Sequence, residues 1–372
     1  MNYSYWEHKN WLSNIDYAII GSGIVGLNCA LQIRKKQPKA KIVILEKGIL
    51  PEGASTKNAG FACFGSLTEL IDDLKTHSEA EVIELVIQRL KGLYLLRQTV
   101  GDKKLKYKPN GGFELFSGDD NFLFEECQFH KNHINHILKP IFKSNVFNEV
   151  DNTFGFQNVN NQLFFNKYEG QIDTGKMMNA LLKLAHKNNI KILNNIKVEA
   201  FDDSNNTVEI KTNHFTLKAS KVLVATNGFA SELLKETVKP ARAQVLITKP
   251  IKDLKIKGTF HLEQGYYYFR NINNRILLGG GRNLDFKAEE TTSFNQTDLI
   301  QNKLDQLLKT TILPKTDFEI EHRWSGIMGV GSQKKPIVKQ ISNNVFCGVR
   351  LGGMGIAIGS LIGKELADLL DY

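Results

Sequence analysis

The chain has 372 residues, with 48 Lys and Arg against 39 Asp and Glu, a formal net charge of +9, 42% apolar residues and 23% charged residues. This composition supplies ample material for a folded core, so a disordered or collagen-like chain is excluded. The length suggests two domains or one large one, and we interpret the basic excess as a solvated, Lys-biased surface.

Two Lys-rich segments, residues 103–108 and 252–257, alternate basic and apolar residues in the manner of exposed strand faces. The four cysteines lie far apart without a C-x-x-C pair, which argues against a disulfide framework or a zinc site and favours a reducing, cytoplasmic location. The first residues do not show a leader pattern, and no run of about 18 apolar residues predicts a membrane span.

The first predicted elements form a strand–helix–strand unit. DYAIIG (16–21) is a short apolar run before a glycine, which is typical of a buried parallel strand. Residues 24–36 carry an apolar stripe at helical spacing and end in basic side chains, and residues 41–48 predict a second buried strand. The unit has about the minimum size of a parallel crossover.

Later segments mix helices and strands, and no Pro- or Gly-rich linker divides the chain into halves, which suggests interleaved segments. A capping box of Ser78 and Glu81 predicts the start of a helix, and Asp173 is the predicted N-cap of another. The predicted elements are a helix over 78–100, a polar helix over 121–136, strands over 150–169, a helix after residue 173, a meander over 196–219, a buried strand over 221–228, strands over 241–282, a helix over 295–309, and strands over 318–326 and 344–349 before a last helix to residue 370.

A glycine-rich loop follows the first strand. GSGIVG places Gly21, Gly23 and Gly26 in the G-x-G-x-x-G pattern, where they permit a tight turn, close approach to a pyrophosphate and close helix–strand packing. Glu46, at the end of the next strand, is placed to accept hydrogen bonds from ribose hydroxyls and disfavours a 2′-phosphate. The pattern predicts a bound dinucleotide other than NADP.

Several further segments resemble the FAD-dependent D-amino-acid oxidase superfamily, which includes glycine oxidase, sarcosine oxidase and gamma-glutamylputrescine oxidase. GASTKNAG (53–60) resembles its second signature, and VLVATNG (222–228) resembles its third strand and turn. Residues 170–185 resemble the segment before that strand, and residues 345–370 resemble the C-terminal flavin-binding loop and helix. The motifs occur in the expected order over nearly the whole chain.

The resemblance implies FAD as the cofactor. The sarcosine oxidase branch attaches its flavin to a Cys after a W-x-G segment, whereas residues 325–346 contain no Cys, so noncovalent FAD is expected. The residues expected to bind it are Gly21, Gly23, Gly26, Glu46, Lys47, Ser55, Thr56, Lys57, Asn58, Ala59, Gly60, Ala225, Thr226, Gly228, Gly352, Gly353, Met354, Gly355 and Ile356.

The resemblance also implies an α/β fold, in which a Rossmann-like FAD-binding domain is interleaved with a smaller α+β substrate domain on a mostly antiparallel sheet. Residues 15–75, 170–240 and 325–372 are assigned to the FAD-binding domain. Residues 76–169 and 241–324 are assigned to the substrate domain.

The implied reaction is oxidation of a C–N bond of an amine or amino acid by hydride transfer to flavin N5, giving an imine that hydrolyses. Tyr266 and Tyr268 would face one side of a strand and line the pocket. Arg270 and Arg282 are candidates to clamp an acidic substrate group, and Arg350 is a candidate to bind a carboxylate or the flavin C2=O edge.

One position departs from the family. Glycine oxidases carry a carboxylate-binding Arg two residues after the W-x-G segment, where this chain has Met328. This departure argues against a glycine or D-amino-acid substrate held in that way. No metal site is expected at Cys127, His130, His133 and His136, because a three-residue spacing drifts around a helix rather than converging.

Two alternatives stay open at this point. One is a tRNA-modifying FAD oxidoreductase acting on a carboxymethylaminomethyl group, which the basic charge favours slightly; the other is a noncatalytic flavin-bound subunit. The electron acceptor, oxygen or another molecule, and the oligomeric state also stay open.

Overall fold

The structure is a computed structural model that describes residues 2–118, 121–204 and 206–370. Within these ranges the strands form two large sheets and one short two-stranded sheet. The strands are β1 (Ile15–Ile20), β2 (Ile42–Leu45), β3 (Phe61–Ala62), β4 (Gly112–Leu115), β5 (Phe147–Asp151), β6 (Gln162–Asn166), β7 (Gly170–Gln171), β8 (Lys191–Leu193), β9 (Val198–Asp202), β10 (Val208–Thr212), β11 (Thr216–Val224), β12 (Lys239–Thr248), β13 (Thr259–Leu262), β14 (Tyr267–Ile272), β15 (Arg275–Gly280), β16 (Ile320–Val330), β17 (Ile337–Ser342) and β18 (Val345–Val349).

The first large sheet is parallel at its centre. Its strands within the described ranges run in the order β17-β18-β11-β1-β2-β8, with the antiparallel meander β9–β10 attached to β11. β1 pairs in parallel with β2 and β11, and β8 and β18 extend the parallel part. β1 and β2 bury both faces, one against helices and one against the meander, which explains their continuous apolar sequence.

The second large sheet is mostly antiparallel, in the order β16-β12-β15-β14-β13-β4-β6-β5 for the described strands, with one parallel pair between β13 and β4. One face packs on an apolar core that includes Phe260, Tyr267 and Phe269. The opposite face approaches the segment after β2, where Ala59 packs with Val245 and Leu277. This second face borders the site described below.

The helices cover the parallel sheet and one end of the second sheet. α10 packs against both α2 and α5. No described helix has the length and apolar character needed to cross a membrane. The α-helices are α1 (Tyr5–Glu7), α2 (Ile24–Lys36), α3 (Ala54–Lys57), α4 (Leu67–Thr76), α5 (Glu79–Val100), α6 (Asp102–Leu105), α7 (Asn121–Phe142), α8 (Thr174–Lys187), α9 (Asp298–Leu307) and α10 (Gly355–Asp368), with 3-10 helices at Asn227–Glu232 and Arg282–Leu284 and π-helices at His8–Leu12 and Leu308–Ile312.

Local sequence signals located the helix starts well. The capping box of Ser78 and Glu81 is present at the start of α5. Asp173 caps α8, and its side chain accepts a hydrogen bond of 2.9 Å from the Lys176 backbone N–H. Both predictions are confirmed, because a cap depends only on neighbouring residues.

The two Lys-rich segments are not strands, and this prediction was wrong. Residues 102–105 form the short helix α6, which ends at Lys106 in the left-handed region, with a φ of 53°. Residues 252–257 are a turn and an irregular segment that buries Ile256. In both places an isolated apolar residue, Leu105 or Ile256, is buried among exposed lysines, which gives the same alternation in the sequence as a half-buried strand.

The α/β fold class, with a parallel sheet and a mostly antiparallel one, is confirmed. The sheets draw on separated parts of the chain, since the parallel sheet includes β1 near the start and β18 near the end. The domain boundaries assigned from the sequence stay a prediction.

Candidate functional site

The glycine-rich loop lies between β1 and α2, at the carboxyl edge of the parallel sheet. Gly21 has a φ of 104°, which side chains rarely adopt, and a Cβ on Gly26 would overlap the Gly21 carbonyl oxygen. α2 therefore starts in direct contact with the loop. Its cap, Gly23, contributes no side chain to this helix end, and the positive end of the helix dipole suits an anion.

Glu46 is fixed beside this loop. The loop N–H of Ser22 donates to Glu46 Oε2 at 2.9 Å, and the Ser22 hydroxyl donates to the same oxygen at 2.6 Å. The N–H of Gly48 donates to Oε1 at 3.1 Å. The Glu52 N–H lies 3.5 Å from Oε1 as a fourth, weak donor, and together these bonds hold the carboxylate in place beside the loop.

Residues 53–60 form a loop held by its own side chains. The Ser55 hydroxyl accepts from the Ile24 N–H at 2.9 Å and so joins this loop to the start of α2. Asn58 donates to the Ala54 and Ser55 carbonyls at 3.0 and 2.9 Å, and its Oδ1 accepts from the Gly60 N–H at 2.8 Å. This network presents a preformed backbone surface to a ligand.

One cavity of about 440 Å³ joins these loops to the second sheet. Most of the residues predicted to bind the cofactor line it, whereas Gly26, Thr56 and Gly228 do not. Thr56 instead donates to the carbonyls of Pro51 and Gly53, and a Cβ on Gly228 would lie 2.6 Å from the Met328 carbonyl oxygen. The predicted cofactor residues that line the cavity are Gly21, Gly23, Glu46, Lys47, Ser55, Lys57, Asn58, Ala59, Gly60, Ala225, Thr226, Gly352, Gly353, Met354, Gly355 and Ile356.

The chemistry of this lining fits FAD. The buried Thr226 Oγ1 has no hydrogen-bond partner among the described residues and belongs to a residue that lines the cavity. Close to it, because the Leu351 N–H donates to Asn227 Oδ1 at 3.0 Å, Gly352 and Gly353 lead into the N-terminus of α10, and both have positive φ. An unpaired hydroxyl and the N-terminus of a helix, both facing one cavity, suit an anionic dinucleotide. When bound, FAD supplies the hydride acceptor of the site.

Two lysines of the cavity lie on aromatic rings. Lys47 Nζ lies 3.2 Å from the ring centroid of Phe229, and Lys57 Nζ lies 4.8 Å from that of Phe294. Burial lowers the pKa of Lys47, although neighbouring acids including Glu232 oppose the shift. The rings thus hold both cations beside the dinucleotide half of the cavity.

The aromatic strand β14 borders the other half. Tyr266, just before the strand, and Tyr268 line the cavity, while Tyr267 and Phe269 are fully buried in the core behind it. The alternation predicted from the sequence is therefore confirmed. Burial raises the pKa of Tyr268 to about 12, so its hydroxyl stays protonated and can donate a hydrogen bond.

Arg270 and Arg350 are not among the residues that line the cavity, and the predicted contact of Arg270 with the substrate, and of Arg350 with a carboxylate or the flavin, stays a prediction. Arg270 donates to the backbone carbonyls of Ala59 and Ile172, and burial lowers its pKa to about 10. Arg350 donates to the Lys335 carbonyl at 3.0 Å. Both guanidiniums hold backbone segments around the site by donating to their carbonyl oxygens.

Sequence reasoning missed a buried pair near the aromatic strand β14 that borders the cavity. His261 on β13 lines the cavity, and its Nε2 lies 2.7 Å from Glu169 Oε1. Burial disfavours the charged ring, but the acids Glu169, Glu69 and Glu114 outweigh it and raise the pKa of His261 to about 9. A lone His in a four-residue strand gives no signal of a partner 92 positions away.

The His261–Glu169 pair predicts a pH-dependent stability. Because the folded pKa lies above the unfolded value of about 6.5, the stabilisation is full below pH 6.5 and is lost as the pH rises through 9, by roughly 3 kcal/mol in all. Urea unfolding between pH 6 and 9.5 measures it. His261→Gln should flatten this dependence, whereas His136→Gln, at an exposed position on α7, should not change it. An equally steep decline in His261→Gln would contradict the assignment.

The chain was compared with a family profile, with related proteins and with solved structures. The sequence profile of the family described as FAD dependent oxidoreductase (DAO) matches residues 16–369. The "Probable oxidoreductase OrdL" of Haemophilus influenzae is 19% identical over 96% of this chain and 83% of its own length. The OrdL of Rhizobium meliloti is 25% identical over 54% of this chain and 47% of its own length.

Solved structures share the fold. A glycine oxidase from Geobacillus kaustophilus superposes with a TM-score of 0.76 at 19% identity, covering 95% of this chain and 94% of the other. An iminodiacetate oxidase from Chelativorans sp. BNC1 gives 0.75 at 16% identity, covering 95% and 94%. These identities support the fold alone, while the profile match spans nearly the whole chain. The chain therefore belongs to the DAO family and is an FAD-dependent oxidoreductase.

Proposed function

We propose that this enzyme oxidises a C–N bond of an amine or amino acid. The carbon next to the nitrogen loses a hydride to the flavin, and the resulting imine is hydrolysed by water to a carbonyl compound and an amine or ammonia. One observation carries the proposal: a single cavity is lined by the dinucleotide loops at one end and by Tyr266, Tyr268 and His261 at the other. A small molecule at that second end would lie against the cofactor.

The chain's own groups provide positioning rather than proton chemistry. Tyr268 offers a buried hydroxyl, and Phe61 packs edge-on against both His261 and Tyr268 at 5.2 and 5.7 Å between ring centroids. Apolar walls from Ala243 and Val245 exclude water. Such a half-aromatic, half-polar pocket orients a small substrate and supports hydride transfer by proximity.

Similar folds support the reaction class. Proteins named glycine oxidase, iminodiacetate oxidase and L-amino acid deaminase superpose on more than nine-tenths of this chain. Their names share the removal of electrons or nitrogen from an amino acid-type molecule. We propose the same class of substrate here.

Anaerobic reduction of the bound flavin tests the proposal. The FAD-loaded protein is mixed with glycine, sarcosine, iminodiacetate, proline, both enantiomers of common amino acids, and gamma-glutamyl amines, and the flavin absorbance near 450 nm is followed. We expect at least one amine to bleach the flavin, with the matching carbonyl compound as product. Readmitting oxygen and measuring peroxide then separates an oxidase from an enzyme that uses another acceptor.

Two results would overturn the proposal. A protein whose flavin is reduced by dithionite but by none of these amines would favour the noncatalytic subunit. Reduction only by a tRNA that carries a carboxymethylaminomethyl group, with an affinity that falls linearly with the logarithm of salt concentration, would favour the tRNA-modifying alternative.

A further inference from the structure

Arg282 differs from the other arginines of the chain in its partners. The sequence contains nine arginines, all described by the structure, and eight direct the guanidinium to an acid or a backbone carbonyl. Arg282 makes no hydrogen bond or ion pair with any described residue. The partners of the others are Asn188 for Arg34, Phe64 for Arg89, Asp102 for Arg97, Glu289 for Arg242, Ala59 for Arg270, Glu321 for Arg275, Asp305 for Arg323 and Lys335 for Arg350.

The Arg282 guanidinium is held by aromatic rings instead. Its central carbon lies 5.8 Å from the ring centroid of Tyr266 and 5.0 Å from that of Phe286. Ring contacts of this kind orient the planar group and occupy none of its five N–H donors. Arg282 and Tyr266 both line the cavity, so these donors are available to a ligand there.

The glycine run before Arg282 fixes this position. Gly280 and Gly281, at the end of β15, have φ values of 126° and 82°. The Gly281 N–H donates to the Tyr266 carbonyl at 3.0 Å, and a Cβ on Gly280 would overlap that carbonyl. Only a glycine turn brings the chain this close to Tyr266, and the turn sets Arg282 beside the aromatic ring.

Other cationic side chains of the cavity are already engaged. Lys334 is paired with Asp73, and His261 with Glu169. Lys197 lies 3.6 Å from Glu232, and Lys47 and Lys57 lie on the rings described above, next to the dinucleotide loops. Among the described cationic side chains that line the cavity, Arg282 is therefore the one at the Tyr266 side whose N–H donors are free.

We propose that Arg282 binds the substrate's carboxylate, so that the substrate is an amino acid or an N-substituted amino acid rather than a simple amine. The inference rests on the proposed C–N oxidation in that it takes the bound ligand to be the substrate. The presence of an anion site at Arg282 does not depend on that reaction. A guanidinium matches a carboxylate with two parallel hydrogen bonds, which a lysine cannot reproduce. The rings of Tyr266 and Phe286 keep the Arg282 guanidinium oriented when no ligand is bound.

A ligand titration of the FAD-loaded protein tests this site without turnover. Benzoate and its neutral, shape-matched amide, benzamide, are added separately, and the shift of the visible flavin spectrum gives each dissociation constant. We expect benzoate to bind the unaltered protein at least tenfold more tightly than benzamide. We expect Arg282→Met to weaken benzoate by about ten- to a hundredfold and leave benzamide unchanged, with Arg282→Lys in between.

Arg275→Met is the matched control, since Arg275 lies at the other end of the same strand, paired with Glu321 at the surface. It removes one positive charge and should leave benzoate binding unchanged. Equal benzoate affinity in Arg282→Met and the unaltered protein, or no preference for benzoate over benzamide, would overturn the inference. If Arg282→Met does not retain FAD, the comparison with Arg282→Lys and the amide decides.

The two proposals fail separately. Flavin bleaching by amines together with unchanged benzoate affinity in Arg282→Met would remove the carboxylate site and keep C–N oxidation. Arg282-dependent benzoate binding without bleaching by any amine would keep the anion site and remove the proposed reaction.

Discussion

Gly26→Ala should remove most of the bound FAD from an otherwise folded protein. The added methyl group would overlap the carbonyl oxygen of Gly21 and also lie 3.2 Å from the Ile19 side chain. Because α2 packs against β1, α8 and α10, we expect the loop rather than the helix to move. Overpacking of this kind costs about 1–3 kcal/mol, which corresponds to a roughly five- to hundredfold weaker affinity. Flavin content after purification and an FAD titration of the apoprotein measure it.

Gly175→Ala is the control for this change. Gly175 lies in the first turn of α8, and the nearest atom to a Cβ there is Asp173 Oδ1 at an ordinary 3.5 Å. This variant should hold FAD as the unaltered protein does. Equal FAD affinity in Gly26→Ala would show that the loop tolerates displacement and that the close packing of α2 is not needed for the dinucleotide.

Glu289→Gln should destabilise the protein by about 3–5 kcal/mol. Glu289 is 1% exposed and accepts two hydrogen bonds from Arg242, at 2.8 and 2.6 Å, and a third from Gln244 at 3.0 Å. Removing the charge leaves the guanidinium of Arg242 buried without an anion. Urea unfolding gives the free energy of unfolding.

A neighbouring pair supplies the control. Glu290 forms an exposed ion pair with Lys239 at 3.0 Å, and Glu290→Gln should cost less than about 1 kcal/mol. The double variant Arg242→Met/Glu289→Leu should regain most of the lost stability, since no charge is left unpaired. A loss in Glu289→Gln no larger than in Glu290→Gln would mean that water or another group satisfies Arg242.

The glycine loop, Glu46 and the aromatic strand were predictable because their information is local. A G-x-G-x-x-G pattern between an apolar run and a helical stripe has one physical explanation, and strand alternation alone places Tyr266 and Tyr268 on one face. The helix caps follow the same rule.

The side chains of Arg270, Arg350 and His261 were not predictable in this way. Their direction depends on carbonyls and acids that the fold brings together from distant segments, such as Ala59 near Arg270 and Glu169 near His261. A long, flexible guanidinium turns to the nearest buried acceptor, and strand periodicity does not say which acceptor that is. Arg282 is free of such partners only because a glycine turn carries it onto the rings.

The order of strands in the parallel sheet has a consequence for synthesis on the ribosome. β18 pairs with β11, and α10 packs against α2 and α5, although β18 and α10 are the last elements of the described chain. The early loops that line the dinucleotide half of the cavity thus face solvent until residues 345–368 emerge. Cofactor capture is therefore expected to follow the synthesis of these residues, and the nascent chain must keep its unfinished sheet edge protected until then.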